Sequence, residues 1–178
     1  MSALRNLLRR LVAGLLAAQL LAVLPAAPVA ALPLVLPEAA PSLEQALTRE
    51  RVIALVNNER LARGLAPLQE DLSLGVAAQS YAEVLTADSC FGHACGPEPD
   101  FTTRDAKGGY SPWSWLGENV AAGQPTAEEV VAAWMASPLH RENILRPEFT
   151  ELGVGVAHGG LHGTYWAQEF GARPAAPS

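Results

Sequence analysis

The sequence predicts an α+β domain, and three observations carry the prediction. Apolar residues recur at helical spacing in two stretches between Leu43 and Ala87. A capping box opens another helix at Thr126. Two alternating segments around a glycine turn close the chain. Helices first and an antiparallel hairpin last give the α+β order. A length of 178 residues favours one domain with a sizeable core. Hydrophobic residues are 49% and charged ones 17%, a mix that excludes a polar disordered chain.

The chain opens with a segment of another kind. Arg5, Arg9 and Arg10 precede an uncharged apolar run from Leu11 to Leu24, and small residues follow through Ala31. This is the pattern of a signal peptide over residues 1–31, with cleavage expected after Ala31. An uncleaved anchor is the alternative, but Pro25, Pro28 and Pro33 interrupt a spanning helix. The mature protein is therefore expected to be secreted or extracytoplasmic, without a stable membrane span. Residues 32–45 read as a proline-rich linker, 46–172 as the folded domain and 173–178 as a flexible tail. Without the leader's three arginines, 9 basic residues face 18 acidic ones, a net charge of −9. No run of Lys or Arg offsets it, so nucleic acid is excluded as a partner.

Within the domain, Leu43 to Arg63 reads as a helix with Ile53, Val56 and Arg60 on one stripe, stopped by Gly64. Asp71 or Ser73 caps a second helix running to about Ala87, whose buried face holds Leu74, Ala77, Ala78, Tyr81 and Leu85. Residues 88–117 show no sustained period and read as a long loop of the functional kind. The helix opened by Thr126 runs to about Ser137 with Val130, Val131 and Trp134 inward, and Pro138 starts a shorter one through Leu145. Leu152 to Val156 and Thr164 to Phe170 alternate as two strands around Gly159 to Gly163.

The chemistry gathers in and after the loop. Cys90 and Cys95 are the only cysteines, and an exported chain favours their disulfide. A cramped metal site from Cys90, His93 and Cys95 is the rival. Gly-x-Ser-x-Gly, His-Glu-x-x-His and Ser-x-x-Lys signatures are absent. His93, Glu118 and His140 stand in unusual local settings, although each can equally be a residue satisfied in the core. His158 and His162 flank the glycine turn and read as solvated. Trp134 and Trp166 read as core. Asn119 and Asn143 read as pins for loop backbone, and Gln168 as either a cleft partner or a polar edge residue.

Six blocks, in order, resemble one family. They are Leu55-Val56-Asn57-Asn58-Glu59-Arg60, Phe91-Gly92-His93, Gly117 to Gly123, Trp134 to Leu145, Glu151 to Gly155, and Tyr165-Trp166-Ala167-Gln168. Together they resemble a bacterial CAP domain, the superfamily of cysteine-rich secretory, antigen 5 and pathogenesis-related 1 proteins. The resemblance implies a three-layer α-β-α sandwich with a central antiparallel sheet. It also implies a cleft where His93, Glu118 and His140 converge and bind a divalent cation, zinc being the best match to such ligands. The chain departs from the eukaryotic pattern at Ser137, where a second glutamate is usual, and at Tyr165, where the second histidine is usual. His140 takes over the second imidazole. The function so implied is a binding module for a metal, a lipid, a peptide, a cell-wall fragment or another small molecule. The wall of its cleft would come from the loop Lys107 to Leu116. The alternative is a metal-dependent hydrolase using the same cleft.

Overall fold

Side-chain caps set where the helices begin. The structure, a computed structural model, describes residues 42–87, 90–95 and 99–175. The leader over 1–31, nearly all of the linker before Ser42 and the last three residues of the tail lie outside the described residues. In helix α1 (Leu43–Leu61) the Ser42 hydroxyl accepts from the Gln45 amide at 3.2 Å, and the Gln45 side chain accepts from the Ser42 amide at 3.0 Å. Asp71 accepts from the amides of Ser73 and Leu74 and starts α2 (Leu72–Ala87). Asp100 accepts likewise from the amides of Thr102 and Thr103 and starts α3 (Phe101–Lys107). Thr126 caps α4 (Ala127–Ala136), and Pro138 occupies the first turn of α5 (Pro138–Leu145).

Four strands form one sheet in the order β1-β3-β4-β2, with β1 at Gln69–Glu70, β2 at Trp115–Ala122, β3 at Glu151–Gly159 and β4 at Gly163–Ala172. β4 pairs antiparallel with both long neighbours, and only the two-residue β1 runs parallel to β3. The two faces carry separate cores. On one, Val52, Val56, Val130, Trp134 and Ile144 from α1, α4 and α5 meet Leu152, Val154, Val156, Trp166 and Phe170. On the other, Ala78, Tyr81, Ala82 and Leu85 from α2 meet Val120, Ala157, Tyr165, Ala167 and Cys95. Helical layers therefore sandwich a sheet whose strands alternate sides residue by residue. The inward-facing Trp134 and Trp166 are core, as their spacing predicts.

The structure differs from the sequence reading in the segment taken as a long loop. Residues 101–107 form α3, and β2 begins at Trp115. The reason is physical. α3 has two turns, and its buried residues are Arg104 and Asp105, so it has no apolar stripe to detect. β2 reads Leu-Gly-Glu-Asn-Val-Ala-Ala after Trp115 and is buried from Gly117 to Ala121, so no polar face alternates with an apolar one. The sheet therefore has four strands where the sequence reading found two.

Candidate functional site

β2 is the edge strand, and successive side chains on it point to opposite faces of the sheet. Glu118 faces the α2 layer, and its neighbour Asn119 faces the α5 layer. Each holds a histidine segment. Glu118, 4% exposed, bonds through Oε1 to His93 Nδ1 at 2.7 Å. Asn119 donates through Nδ2 to the backbone carbonyl of His140 at 3.1 Å and to Gln168 Oε1 at 3.0 Å. Asn143 donates to the Glu118 carbonyl and to Asn119 Oδ1, both at 3.0 Å. His93 and His140 thus come from opposite layers and flank one strand edge. The Asn143 amide and the Trp134 indole, which donates to the Val120 carbonyl at 3.4 Å, also cover carbonyls of that strand.

The segment bearing His93 is held on several sides. Cys90 and Cys95 form a disulfide. The Tyr81 hydroxyl donates to the Gly92 carbonyl at 2.7 Å. Arg104 donates to the carbonyls of His93 and Pro99, stacks 3.4 Å above the Tyr81 ring, and pairs with Glu118 Oε2. The His93 side chain itself is 59% exposed at the surface.

The electrostatics separate the two imidazoles. The bond to Glu118 raises the His93 pKa above its ordinary value, against the opposing effect of partial burial. Burial and then the charge of His93 lower that of His140. The two rings therefore share one electrostatic neighbourhood, with His140 the more readily neutral and the better placed to offer a lone pair.

Fitting a divalent metal to these residues gives a defined answer. Glu118 has one oxygen on His93 and the other on Arg104. Both oxygens are thus engaged, and the Arg104 guanidinium already supplies a positive charge beside this carboxylate. Among the described residues no group of three His, Cys, Asp or Glu side chains could hold a metal. The imidazoles at this strand edge are those of His93 and His140. Glu118 would stand behind His93 as the outer carboxylate that fixes the ring and exposes Nε2.

Sequence reasoning found His93, Glu118, His140, Asn119, Asn143 and Gln168. It placed Gln168 ambiguously, and the structure puts it on the central strand β4, buried and bonded to Asn119. It missed Arg104, Asp105 and Glu169. Glu169 lies directly across from Glu118 in the strand register, and Asp105 on α3 is its neighbouring acid. All three are buried. One signal was present: Glu169 is a lone acid inside the alternating run from Thr164 to Phe170. For Asp100 to Lys107, the Asp-x-Thr-Thr start is a usable N-cap signal.

Comparison with known proteins agrees with this architecture. The sequence profile of the cysteine-rich secretory protein family, CAP, matches residues 53–170. Among curated proteins, the uncharacterized protein YkwD of Bacillus subtilis is 39% identical over 132 residues, which cover 74% of this chain and 49% of YkwD. The chain therefore spans about half the length of that relative. Among solved structures, an outer surface protein of Borrelia burgdorferi superposes with a TM-score of 0.66 at 21% identity, covering 77% of this chain and 98% of that one. An extracellular SCP-domain protein of Bacillus anthracis gives 0.64 at 21% identity, covering 76% and 45%. Profile, relative and fold converge with the histidines at the strand edge: the chain belongs to the cysteine-rich secretory protein, or CAP, family.

Proposed function

We propose that this protein is an exported ligand-binding module whose strand-edge cleft offers His93 and His140 to a divalent cation, zinc by preference. The polar end of a lipid, a peptide or a cell-wall fragment would bind beside or through that cation. One observation carries the reading: Glu118 is fully engaged behind His93, so the exposed ring presents Nε2 outward with its orientation fixed. Zinc accepts imidazole nitrogen and leaves positions for water and ligand when the protein supplies few donors. Export is supported by the leader pattern over residues 1–31 and by the cysteine pair. Among the described residues no helix is long and apolar enough to cross a membrane.

The test is calorimetry with zinc on protein recovered from the extracytoplasmic fraction, whose intact mass should lack residues 1–31. Wild type is expected to bind, with affinity falling as pH drops through the imidazole range near about 6.5. A His93→Ala/His140→Ala variant should give no binding heat. Equal heats from both proteins refute the cleft reading. Metal-dependent hydrolysis in the same cleft, with a water polarised by the bound cation as nucleophile, is the second reading. Zinc-dependent turnover of a peptide or ester library, lost in the double variant, would establish it. Binding without turnover keeps the protein a binding module.

A further inference from the structure

Arg104 is the charged side chain at the site that the metal-binding reading does not use. Its guanidinium is almost completely buried, 5% exposed, on the two-turn helix α3. An arginine paired with a carboxylate frequently gives it both prongs of a bidentate fork. This one divides its donors. Nη1 serves two main-chain carbonyls, those of His93 (3.3 Å) and Pro99, while Nη2 serves Glu118 Oε2 and stands 3.9 Å from Glu169 Oε1. Its flat face lies 3.4 Å over Tyr81, whose hydroxyl holds the carbonyl of Gly92, next to His93.

Among the described residues, the polar contacts that hold His93 pass through this group or touch it. The ring of His93 is oriented by Glu118, and Arg104 holds the other oxygen of Glu118. The backbone of His93 is held at its carbonyl by Arg104 directly. We infer that Arg104 is a positioning residue that fixes His93 at both ends, main chain and ring, and so decides which ring nitrogen faces the cleft. The inference rests on the proposed reading of His93 as a ligand-presenting residue.

The chemistry explains why the position needs arginine. A planar fork can reach a carboxylate and two carbonyls in different directions while its face stacks on an aromatic ring. A lysine ammonium is a point charge. It can answer Glu118 but cannot also stack and span to the carbonyls. Without the guanidinium, Glu118 Oε2 loses its partner and the carboxylate is free to rotate. His93 Nδ1 then has no fixed acceptor, and both ring tautomers become accessible. Outer partners of metal-bound histidines typically change metal affinity by about 10–100-fold when removed.

The experiment compares wild type, Arg104→Lys and Arg104→Met by ¹⁵N NMR of the histidine ring nitrogens in metal-free protein. A pH of about 9 keeps the imidazoles neutral. Zinc titration and thermal melting are run on the same samples. In wild type, His93 is expected as the Nδ1–H tautomer, with the lone pair on Nε2. In Arg104→Met the ring should show mixed tautomers and zinc affinity should fall by about tenfold or more, with Arg104→Lys between the two. Should Arg104→Met fail to fold, Arg104→Lys carries the comparison, and Glu118→Gln should reproduce the mixed tautomers with Arg104 in place. Wild-type tautomer and affinity in a folded Arg104 variant overturn the inference. Absence of zinc binding in wild type would count against the metal reading alone, since the tautomer comparison still decides the role of Arg104.

Discussion

Behind His93, one guanidinium faces three buried carboxyl groups, Glu118, Glu169 and Asp105. As a carboxylate, Glu169 has no hydrogen-bond donor on either oxygen among the described residues, and neither has Asp105. As a carboxylic acid, Glu169 can donate its O–H to Glu118, its partner across the strands. Burial is the first cause that raises both pKa values, and the Glu118 charge the second. Asp105 is pushed up to about 8 and Glu169 well above the ordinary range. The folded state therefore keeps protons that the unfolded chain has already released, and stability falls with rising pH between the two pKa values. This contribution is whole below the unfolded value of 3.8 for Asp105 and is spent above about 8. Urea unfolding at about pH 5 and pH 8 should show the higher midpoint at pH 5. Glu169→Gln, which keeps a donor without the titration, should flatten the dependence. A Glu169→Gln profile as steep as wild type would assign the pH dependence to other groups.

At the scale of elements, α2 and β3 approach more closely than side chains permit. A Cβ built on Gly153 would stand 2.2 Å from the backbone carbonyl carbon of Leu74, and one on Gly155 would stand 2.2 Å from the carbonyl oxygen of Ala78. The obstacles are helix backbone, so they cannot swing aside. These glycines sit between Leu152, Val154 and Val156, which face the other core. The strand thus has one apolar face and one bare face, against which the helix lies directly. Gly153→Ala and Gly155→Ala should each cost roughly 3 kcal/mol or more, at the upper end of overpacking effects, measured by chemical denaturation. A cost below about 1 kcal/mol would mean that α2 can slide outward. The alternation of glycine with branched residues is visible in the sequence and announces the strand. It does not announce that a helix fills the glycine side.

At the scale of the whole domain, the elements are joined by a charge that has no counter-charge among the described residues. Arg60, 1% exposed, donates to the carbonyls of Ala66, Ile144, Arg146 and Phe149 at 2.8–3.2 Å. It ties the end of α1 to the end of α5 and to the approach to β3. Burial lowers its pKa, so the four carbonyls rather than an acid compensate its desolvation. Arg60→Met keeps the apolar stem and leaves those acceptors bare. At about 1–3 kcal/mol for a buried group left unsatisfied, the loss should exceed about 3 kcal/mol and lower the melting temperature of the entire domain in one transition. A change within about 0.5 kcal/mol would show that water replaces the guanidinium.

The sequence by itself determined the α+β class, four of the five helices among the described residues, the closing hairpin and the cysteine pair. These rest on local signals: caps at Asp71 or Ser73 and at Thr126, helical spacing, an alternating pattern, and turn glycines. It also placed Arg60 on one stripe of α1 with Ile53 and Val56, since position i+4 from Val56 fixes the face whatever the residue; the structure buries Val56 and Arg60 together with Val52 and leaves Ile53 half-buried. The six family blocks named His93, Glu118 and His140. Tertiary structure decided what those residues do to one another. Arg104 meets Glu118 because a two-turn helix with no apolar stripe packs beside an edge strand that does not alternate. Glu169 faces Glu118 because β4 and β2 pair in one register and not its neighbour. His93 and His140 flank that strand edge because adjacent residues on a strand point to opposite layers. Strand register and the packing of polar elements depend on partners distant in the chain, so hydrophobic periodicity, a local quantity, carries no trace of them.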